Sequence, residues 1–438
     1  MLKENEVNIN TLLNQLDDIT SVDLALQLSD LEDNEIQEIC SKLSDKELAN
    51  ILEESEEKTQ IRILDLLRNA KILNVFSYMS KDDIVDILGE IEIGKSKELI
   101  NLMKDGKDKK IIEELLGYKD DSAGGIMTTE YIALKKDLSI SQAIQKIKEI
   151  VSSSEVIETI FIKDNKKIIG ITNLRDILIA PENSTLESIT NKNFISVEPE
   201  TDQEEVALLA SKYDLNVIPV VNQNHVLLGI ITIDDIIDVI QEEQTEDVLK
   251  MAGVDKEETI DSTVFQSIKM RLPWLIVNLA TAFLASLTVK AFENIIAQVV
   301  ALSAIMSIVT GMGGNAGTQT VSIIIRNIAM GKVELKDSLK LVIKEILLGI
   351  INGAFIGLLT GIIVALIYGN AYLGIIIFLA MIGNLVISGI FGILVPLILA
   401  KLKLDPALAS SIFLTTATDV LGFFLFLSLA QVFLPKLI

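Results

Sequence analysis

The chain is poor in the side chains that build metal and redox centres in soluble proteins. It has one cysteine, Cys40, and one histidine, His225. No internal disulfide can form, and no Cys/His metal cluster can be assembled. No nucleophile–base pair and no phosphate-binding glycine loop stands out, so an enzyme is not expected. Basic surface is missing too. The formal net charge is −23, which argues against nucleic-acid binding and against docking on anionic lipid. The start, Met1-Leu2-Lys3-Glu4-Asn5-Glu6, lacks the apolar core of a signal peptide.

Charge of either sign is scarce in the C-terminal part. Residues 267–438 hold 11 Lys and Arg and 6 Asp and Glu, a net of +5, which leaves −28 for the residues before them. Charge-free runs cover Leu272–Val289, Asn294–Ile325, Ile346–Ala400 and Pro406–Pro435, the last broken only by Asp419. A helix needs about 20 apolar residues to cross the hydrocarbon core. The third run is too long for one helix, and Tyr368-Gly369-Asn370 divides it. Five transmembrane helices are expected, in contact with membrane lipid. Lys269 and Arg271 precede the first. Arg326, Lys332, Lys336, Lys340 and Lys344 lie between the second and third, and Lys401 and Lys403 between the fourth and fifth. The other side holds Lys290 and Lys436. This bias predicts a multi-pass protein of the cell (inner) membrane, N-terminus cytoplasmic and C-terminus outside.

Asp419 is the candidate ion-pathway residue. Asp405-Pro406 reads as a helix start, with proline in the first turn. Asp419 then lies roughly 21 Å along the helix at ~1.5 Å per residue. A carboxylate at mid-bilayer costs ~2.5–3.5 kcal/mol on insertion scales, so it faces either a wet path or a partner on another helix. The segment Gly311-Met312-Gly313-Gly314-Asn315-Ala316-Gly317-Thr318-Gln319-Thr320 is the second candidate. It is expected to interrupt the Asn294–Ile325 run, which as one helix would be roughly 48 Å long. Its glycines serve close helix packing or pore lining. Asn315 and Gln319 are one turn apart and share a face. Glu345, at the start of the third span, reads as interfacial.

The first half contains a repeat. Phe161–Ile171 aligns without gaps, 59 residues on, with Val220–Ile230, and Leu174-Arg175-Asp176-Ile177 with Ile233-Asp234-Asp235-Ile236. Each copy reads strand, turn, strand, helix, with a further helix before it at Ser139–Ile150 and Thr201–Tyr213. The order resembles a tandem pair of cystathionine-β-synthase (CBS) modules. Such pairs commonly sense adenine nucleotides or act as switchable linkers, so ATP is a candidate ligand, with Asp176 placed to meet a ribose. His225 reads as a solvated turn residue. Residues 1–126 show helical periodicity broken at Ser44-Asp45, Ser80-Lys81-Asp82 and Asp105-Gly106. The Ser and Asp residues suit helix N-caps, and Gly106 a helix end. Gln241–Asp261 continues the last CBS helix and is rich in acids.

Four local sequences carry a resemblance to the MgtE family of magnesium transporters over nearly the whole chain. They are Gly117–Met127, Thr232–Asp238, Gly311–Gln319, and Asp405-Pro406-Ala407 with Asp419. The resemblance implies a multidomain membrane protein with five parts. These are an N-terminal all-α domain (1–126), CBS modules at 127–189 and 190–245, an acidic connecting or plug helix (246–268), and a five-helix transmembrane domain (269–438). It implies a homodimer with one pore, lined by the second and fifth helices. Asp419 would hold hydrated Mg²⁺ there, near Thr415, Asn315, Gly311 and Gly314. It also implies cytoplasmic Mg²⁺ sites that close the pore when the ion is abundant. The sensor candidates are Asp82, Asp86, Asp235, Asp238, Glu243, Glu246 and Asp247. Gln241 and Glu242 depart from the family pattern, which has an acid and a neutral residue there. The alternative is a membrane-anchored CBS protein that senses adenine nucleotides, with an inert anchor.

Overall fold

The computed structural model describes residues 19–104, 106–151, 154, 156–260, 262–333, 338–408 and 410–437. The opening residues Met1–Glu6, Asp105, Asp261 and Lys336 lie outside the described residues. Two compact units divide at Val239/Ile240.

In the first unit, eight short helices follow one another: α1 (Ser21–Ser29), α2 (Asp33–Lys42), α3 (Asp45–Glu53), α4 (Glu57–Leu66), α5 (Asn69–Phe76), α6 (Lys81–Glu90), α7 (Ile93–Leu102) and α8 (Lys107–Leu115). Packing joins each helix to the next but one, so α2 meets α4, α4 meets α6 and α6 meets α8. None exceeds 10 residues, too few to be stable alone. Their apolar stripes make the stack, through buried Ile36, Leu48, Ile63, Ile72, Ile87 and Leu99. The breaks are N-caps where hydroxyls were expected: Ser44 closes a capping box with Glu47, and Ser80 accepts from Asp83 N at 3.3 Å. Gly106 is a correction. It caps the start of α8 instead of ending α7, which stops at Leu102.

The repeat folds as two modules. In the first, β1 (Ala133–Lys135) lies parallel to β2 (Thr159–Asp164), which pairs antiparallel with β3 (Lys167–Asn173). Helices α9 (Ile140–Ile150), α10 (Leu174–Ile179) and α11 (Leu186–Ile189) accompany them. In the second, α12 (Gln203–Tyr213) precedes the hairpin of β4 (Val217–Val221) and β5 (Leu227–Thr232). A parallel bridge from Val197 to Val220 stands where β1 stands in the first copy. The alternation of buried and partly exposed residues along β3 shows one face turned to the core. His225 is exposed in the second hairpin turn with φ +58°. Helix α13 (Ile233–Met251) leaves β5 directly and crosses the boundary between the units.

The second unit is helical: α14 (Val264–Ala291), α15 (Glu293–Gln298), α16 (Ala301–Ala329), α17 (Ser338–Tyr368), α18 (Ala371–Lys401) and α19 (Ser410–Leu437). Four of them, α14, α17, α18 and α19, are long and apolar enough to cross a membrane. Helix α16 is 29 residues long, but its Gly, Ser, Thr, Asn and Gln keep it outside that group. Gly369, at φ +62°, and the Asn370 cap separate α17 from α18 as expected. Two expectations need correcting. The glycine segment does not interrupt the Asn294–Ile325 run; α16 passes through it unbroken, and the run divides at Val299–Val300. Glycine in a membrane helix is tolerated where neighbours pack closely on it. And α19 begins at Ser410, not Asp405, which instead forms a turn, its Oδ1 accepting from Ala407 N at 2.7 Å. Asp419 is therefore only about 14 Å along its helix at ~1.5 Å per residue.

Candidate functional site

Acidic residues gather around α6 and the start of α13. Asp82 and Asp83 occupy the first turn of α6, and Asp86 follows one turn later. Asp234 and Asp235 open α13. Thr232 donates to Asp235 Oδ2 at 2.5 Å through its hydroxyl. Burial, then Asp83 beside it, pushes the Asp82 carboxyl up to about 6, with Asp235 adding to the effect. Loss of solvent, then Asp82, Asp83 and Asp235, raises Asp86 to about 7. Its side chain still reaches the surface, so screening weakens that shift. Asp235 rises to about 6 by burial and by Asp234 and Asp83. Asp82 Oδ1 is buried without a hydrogen-bond partner, which is costly for a carboxylate oxygen.

Two members escaped the sequence reading. Glu53, at the end of α3, accepts from Ser80 N at 3.3 Å and is pushed to about 7 by burial and by Asp83 and Asp82. Asp83 is raised by burial and by Glu130 and Asp234. Glu53 lies 27 residues before Ser80 and gave no signal beyond a general excess of acid, whereas Asp83 adjoins Asp82 but stands off the one-turn spacing of Asp82 and Asp86. Asp238 is exposed on α13, one turn after Asp234.

The second group lies in the other unit. Asp247 is raised to about 6 by burial, then by Asp405 and Glu243. Glu246 is not free to repel: it pairs with Lys250 and, at 3.5 Å, with Lys256. Lys250 also meets Asp405 at 2.6 Å. Ser411 of α19 donates to Met251 O, and Met251 packs on Val321, Ile325 and Leu414. The end of α13 is thus fastened to α16 and α19. Asp405, read in the sequence as a helix start, is the acid that links it.

Among the membrane candidates, Gly314 and Thr415 come together: a Cβ at Gly314 would lie 3.9 Å from Thr415 Cγ2. Gly311 and Asn315 sit on an open face of α16, with Thr318 and Ser322 continuing the stripe. Gly313 and Gly317 serve packing instead; a Cβ at Gly317 would meet Leu414 and Ser388. Packing thus accounts for Gly313 and Gly317, while the face that carries Gly311 and Asn315 stays open. Asp419 is half-buried on α19, one turn after Thr415, and the cation of that helix, Lys436, is in its last turn. Glu345 accepts from Thr320 at 2.9 Å, so it is tied to α16. In the CBS pair, a cavity of about 970 Å³ is lined by Asn173, Arg175, Thr232 and Asp234 among others. These four are two pairs related by the 59-residue repeat. Asp176 is half-buried and does not line it.

Known proteins share each part. The family described as MgtE intracellular N domain matches residues 19–121, the CBS domain matches 123–183 and 186–242, and MgtE, divalent cation transporter, matches 306–429. The "Magnesium transporter MgtE" of Bacillus subtilis (strain 168) is 32% identical over 324 residues, covering 74% of this chain and 72% of its own. The chain belongs to the MgtE family. Another MgtE relative, the "Magnesium transporter MgtE" of Enterococcus faecalis (strain ATCC 700802 / V583), is 31% identical over 323 residues, 74% of this chain and 71% of that one. A structure described as "Crystal structure of the soluble part of a magnesium transporter" matches with a TM-score of 0.50 and 28% identity, covering 54% of this chain and 93% of that one. These MgtE relatives are named as transporters, not enzymes.

The site chemistry fits a hard divalent cation. Every candidate donor is oxygen, and the first cluster holds an orphaned buried carboxylate oxygen among mutually repelling acids. Among the described residues, no three His, Cys, Asp or Glu side chains are arranged to hold a metal directly. Mg²⁺ keeps much of its water, so oxygen groups farther apart than direct ligands suit it.

Proposed function

We propose that this MgtE-family chain conducts Mg²⁺ across the cell membrane and that its acidic clusters sense the ion and close the path. The observation that carries the reading is Asp419, a lone half-buried carboxylate in apolar α19, one turn from Thr415, where α19 packs against α16. A water-coordinated ion needs few direct ligands, and weak binding lets it leave. In this reading α16 also crosses the membrane, as the second of five spans, and α19 is the fifth. The N-terminal half is cytoplasmic, and two copies pair around one path lined by Gly311, Gly314, Asn315 and Thr415.

Asp82, Asp86 and Asp235, with Glu53 and Asp83, form one sensor. Glu243, Asp247 and Asp405 form the other, with Glu246 held in reserve by Lys250. Ions that bind the closed arrangement more tightly than the open one would shift the equilibrium between them. The relatives' names and the all-oxygen donor set support this reading.

Full-length protein reconstituted in a planar bilayer should pass Mg²⁺ current that falls as Mg²⁺ rises on the cytoplasmic side. No Mg²⁺ current would remove the transport reading. Current indifferent to cytoplasmic Mg²⁺, or reduced equally by K⁺ at matched ionic strength, would remove the sensor. ATP is a second ligand of this reading, favoured by the cavity beside Arg175 and Asp234. Titration calorimetry of the full chain in detergent should show heat with ATP, and none would discard it.

A further inference from the structure

Helix α18 contributes two polar side chains to the core of the membrane unit. Asn384 and Ser388 are both fully buried, one turn apart, in a helix whose other buried residues are apolar or glycine, with one proline. Each reaches α16. Asn384 Nδ2 donates to Val309 O at 2.8 Å, and Ser388 Oγ donates to Gly313 O. Those two carbonyls are also one turn apart. A helical carbonyl has two lone pairs, so both bonds can form without opening α16.

The fit is close on every side. A Cβ at Gly313 would run into the Asn384 amide. A Cβ at Gly422 of α19 would come within 2.8 Å of Asn384 Oδ1. Gly422 is three residues beyond Asp419, so Asn384 is wedged between the back of α16 and α19 close to that carboxylate. Farther along, a Cβ at Gly392 would lie 2.8 Å from Thr320 Cβ, and Thr320 donates to Glu345 of α17. Val309, Gly313 and Thr320 are buried, whereas Gly311, Asn315, Thr318 and Ser322 of the same helix are exposed. The clamps hold one face of α16 and leave the polar stripe open.

Asn384 Oδ1 has no hydrogen-bond partner although the residue is buried. An apolar side chain of similar size would avoid that orphan and pack against the same glycines. Packing alone therefore gives no reason for an amide here, whereas fixing a carbonyl of α16 does. We propose that Asn384 and Ser388 are positioning residues for ion passage: they set the height and rotation of α16 against α19, and so the spacing between its open stripe and Asp419. The inference rests on the transport reading above.

Bi-ionic reversal potentials, Mg²⁺ against Na⁺, separate positioning from mere stability in full-length protein. Loss of folded protein reduces current but leaves the reversal potential unmoved. Wild type showing a Mg²⁺-selective potential upholds the transport reading on its own. Against it, Asn384→Leu and Ser388→Ala should each lower the Mg²⁺/Na⁺ permeability ratio about threefold to tenfold, the weight of one hydrogen bond in an equilibrium. Thr360→Val should change nothing, since Thr360 donates at 2.8 Å to Ile356 O in its own helix. If Asn384→Leu does not fold, Ser388→Ala decides, because it removes one oxygen and adds no bulk. Unaltered reversal potentials in the folded variants, with or without smaller currents, overturn the proposal.

Discussion

Asp82 and Asp419 keep opposite electrostatic company. Asp82 has Asp83 beside it in the same helical turn and Asp235 nearby, and its carboxyl is pushed up to about 6 because burial and these neighbours both oppose its charge. Asp419 sits alone in a helix whose nearby hydroxyls, on Thr415, Thr416 and Thr418, donate to backbone carbonyls of that helix. A crowded group of acids changes state when a cation arrives, since each bound charge relieves several repulsions. A solitary acid holds a cation loosely and lets it go. On the proposed function, the difference assigns sensing to the first and passage to the second.

The sharpest way to break the contrast is to remove the solitary acid. Asp419→Ala should lower Mg²⁺ conductance about 10- to 100-fold, equivalent to roughly 1.4–2.8 kcal/mol of ion stabilisation. Asp419→Asn should lose less, because the amide keeps an oxygen. Bilayer recordings with unchanged conductance and selectivity in both would take Asp419 off the path.

Removing acids from the crowd should act on regulation instead. The triple variant Asp82→Ala, Asp86→Ala, Asp235→Ala is expected to keep its conductance and lose closure at millimolar cytoplasmic Mg²⁺. It should also lose the resistance to limited proteolysis that Mg²⁺, and not K⁺ at matched ionic strength, gives the wild type. Normal closure in the triple variant would reduce these acids to solvated helix ends.

The pH dependence is a finer probe. Glu53, Asp82, Asp86 and Asp235 all have folded-state values raised to about 6 or 7. The folded form then binds more protons than the unfolded form from about pH 4 to pH 7. Without divalent ions, stability should rise as pH falls from 7.5 towards 5 and level off below about 4. Melting followed by circular dichroism should show this, and Mg²⁺ at pH 7.5 should largely replace the effect of acid. A melting temperature that drops on going from 7.5 to 5.5 would contradict the crowding. The smallest effect belongs to Asp238→Ala, expected within experimental error in both assays, since Asp238 is exposed on α13.

Local signals in the sequence reached local structure well. Residues 59 apart predicted both hairpins, and Ser44 and Ser80 predicted helix starts, because strand pairing across a tight turn and N-caps depend on neighbours in the chain. The sequence was misleading where tertiary packing decides. Gly311–Thr320 reads as a break, yet Leu414 and Asn384 fill the hollows its glycines leave and the helix continues. Asp405-Pro406 reads as a helix start, yet Asp405 is drawn into a pair with Lys250 from 155 residues away. Glu53 joins Asp82 only through the stacking of alternate helices. Asn384 and Ser388 did leave a mark, as polar residues in the longest charge-free run, but nothing in that run says which neighbour they address.

Helix α13 carries Asp235 in its first turn and Glu246, Asp247 and Lys250 towards its other end, without a break. It is in effect a shaft, and what it transmits best is rotation. Twelve residues separate Asp235 from Asp247, roughly 18 Å of helix, too short to twist appreciably. On the proposed function, a turn imposed by ions at Asp235 would reach Lys250 and Met251, which meet Asp405 and Ser411. One alanine inserted after Ile240 would offset the two ends by about 100° while sparing every acid. Phase, more than charge, would then decide whether the two ends of the shaft still work together.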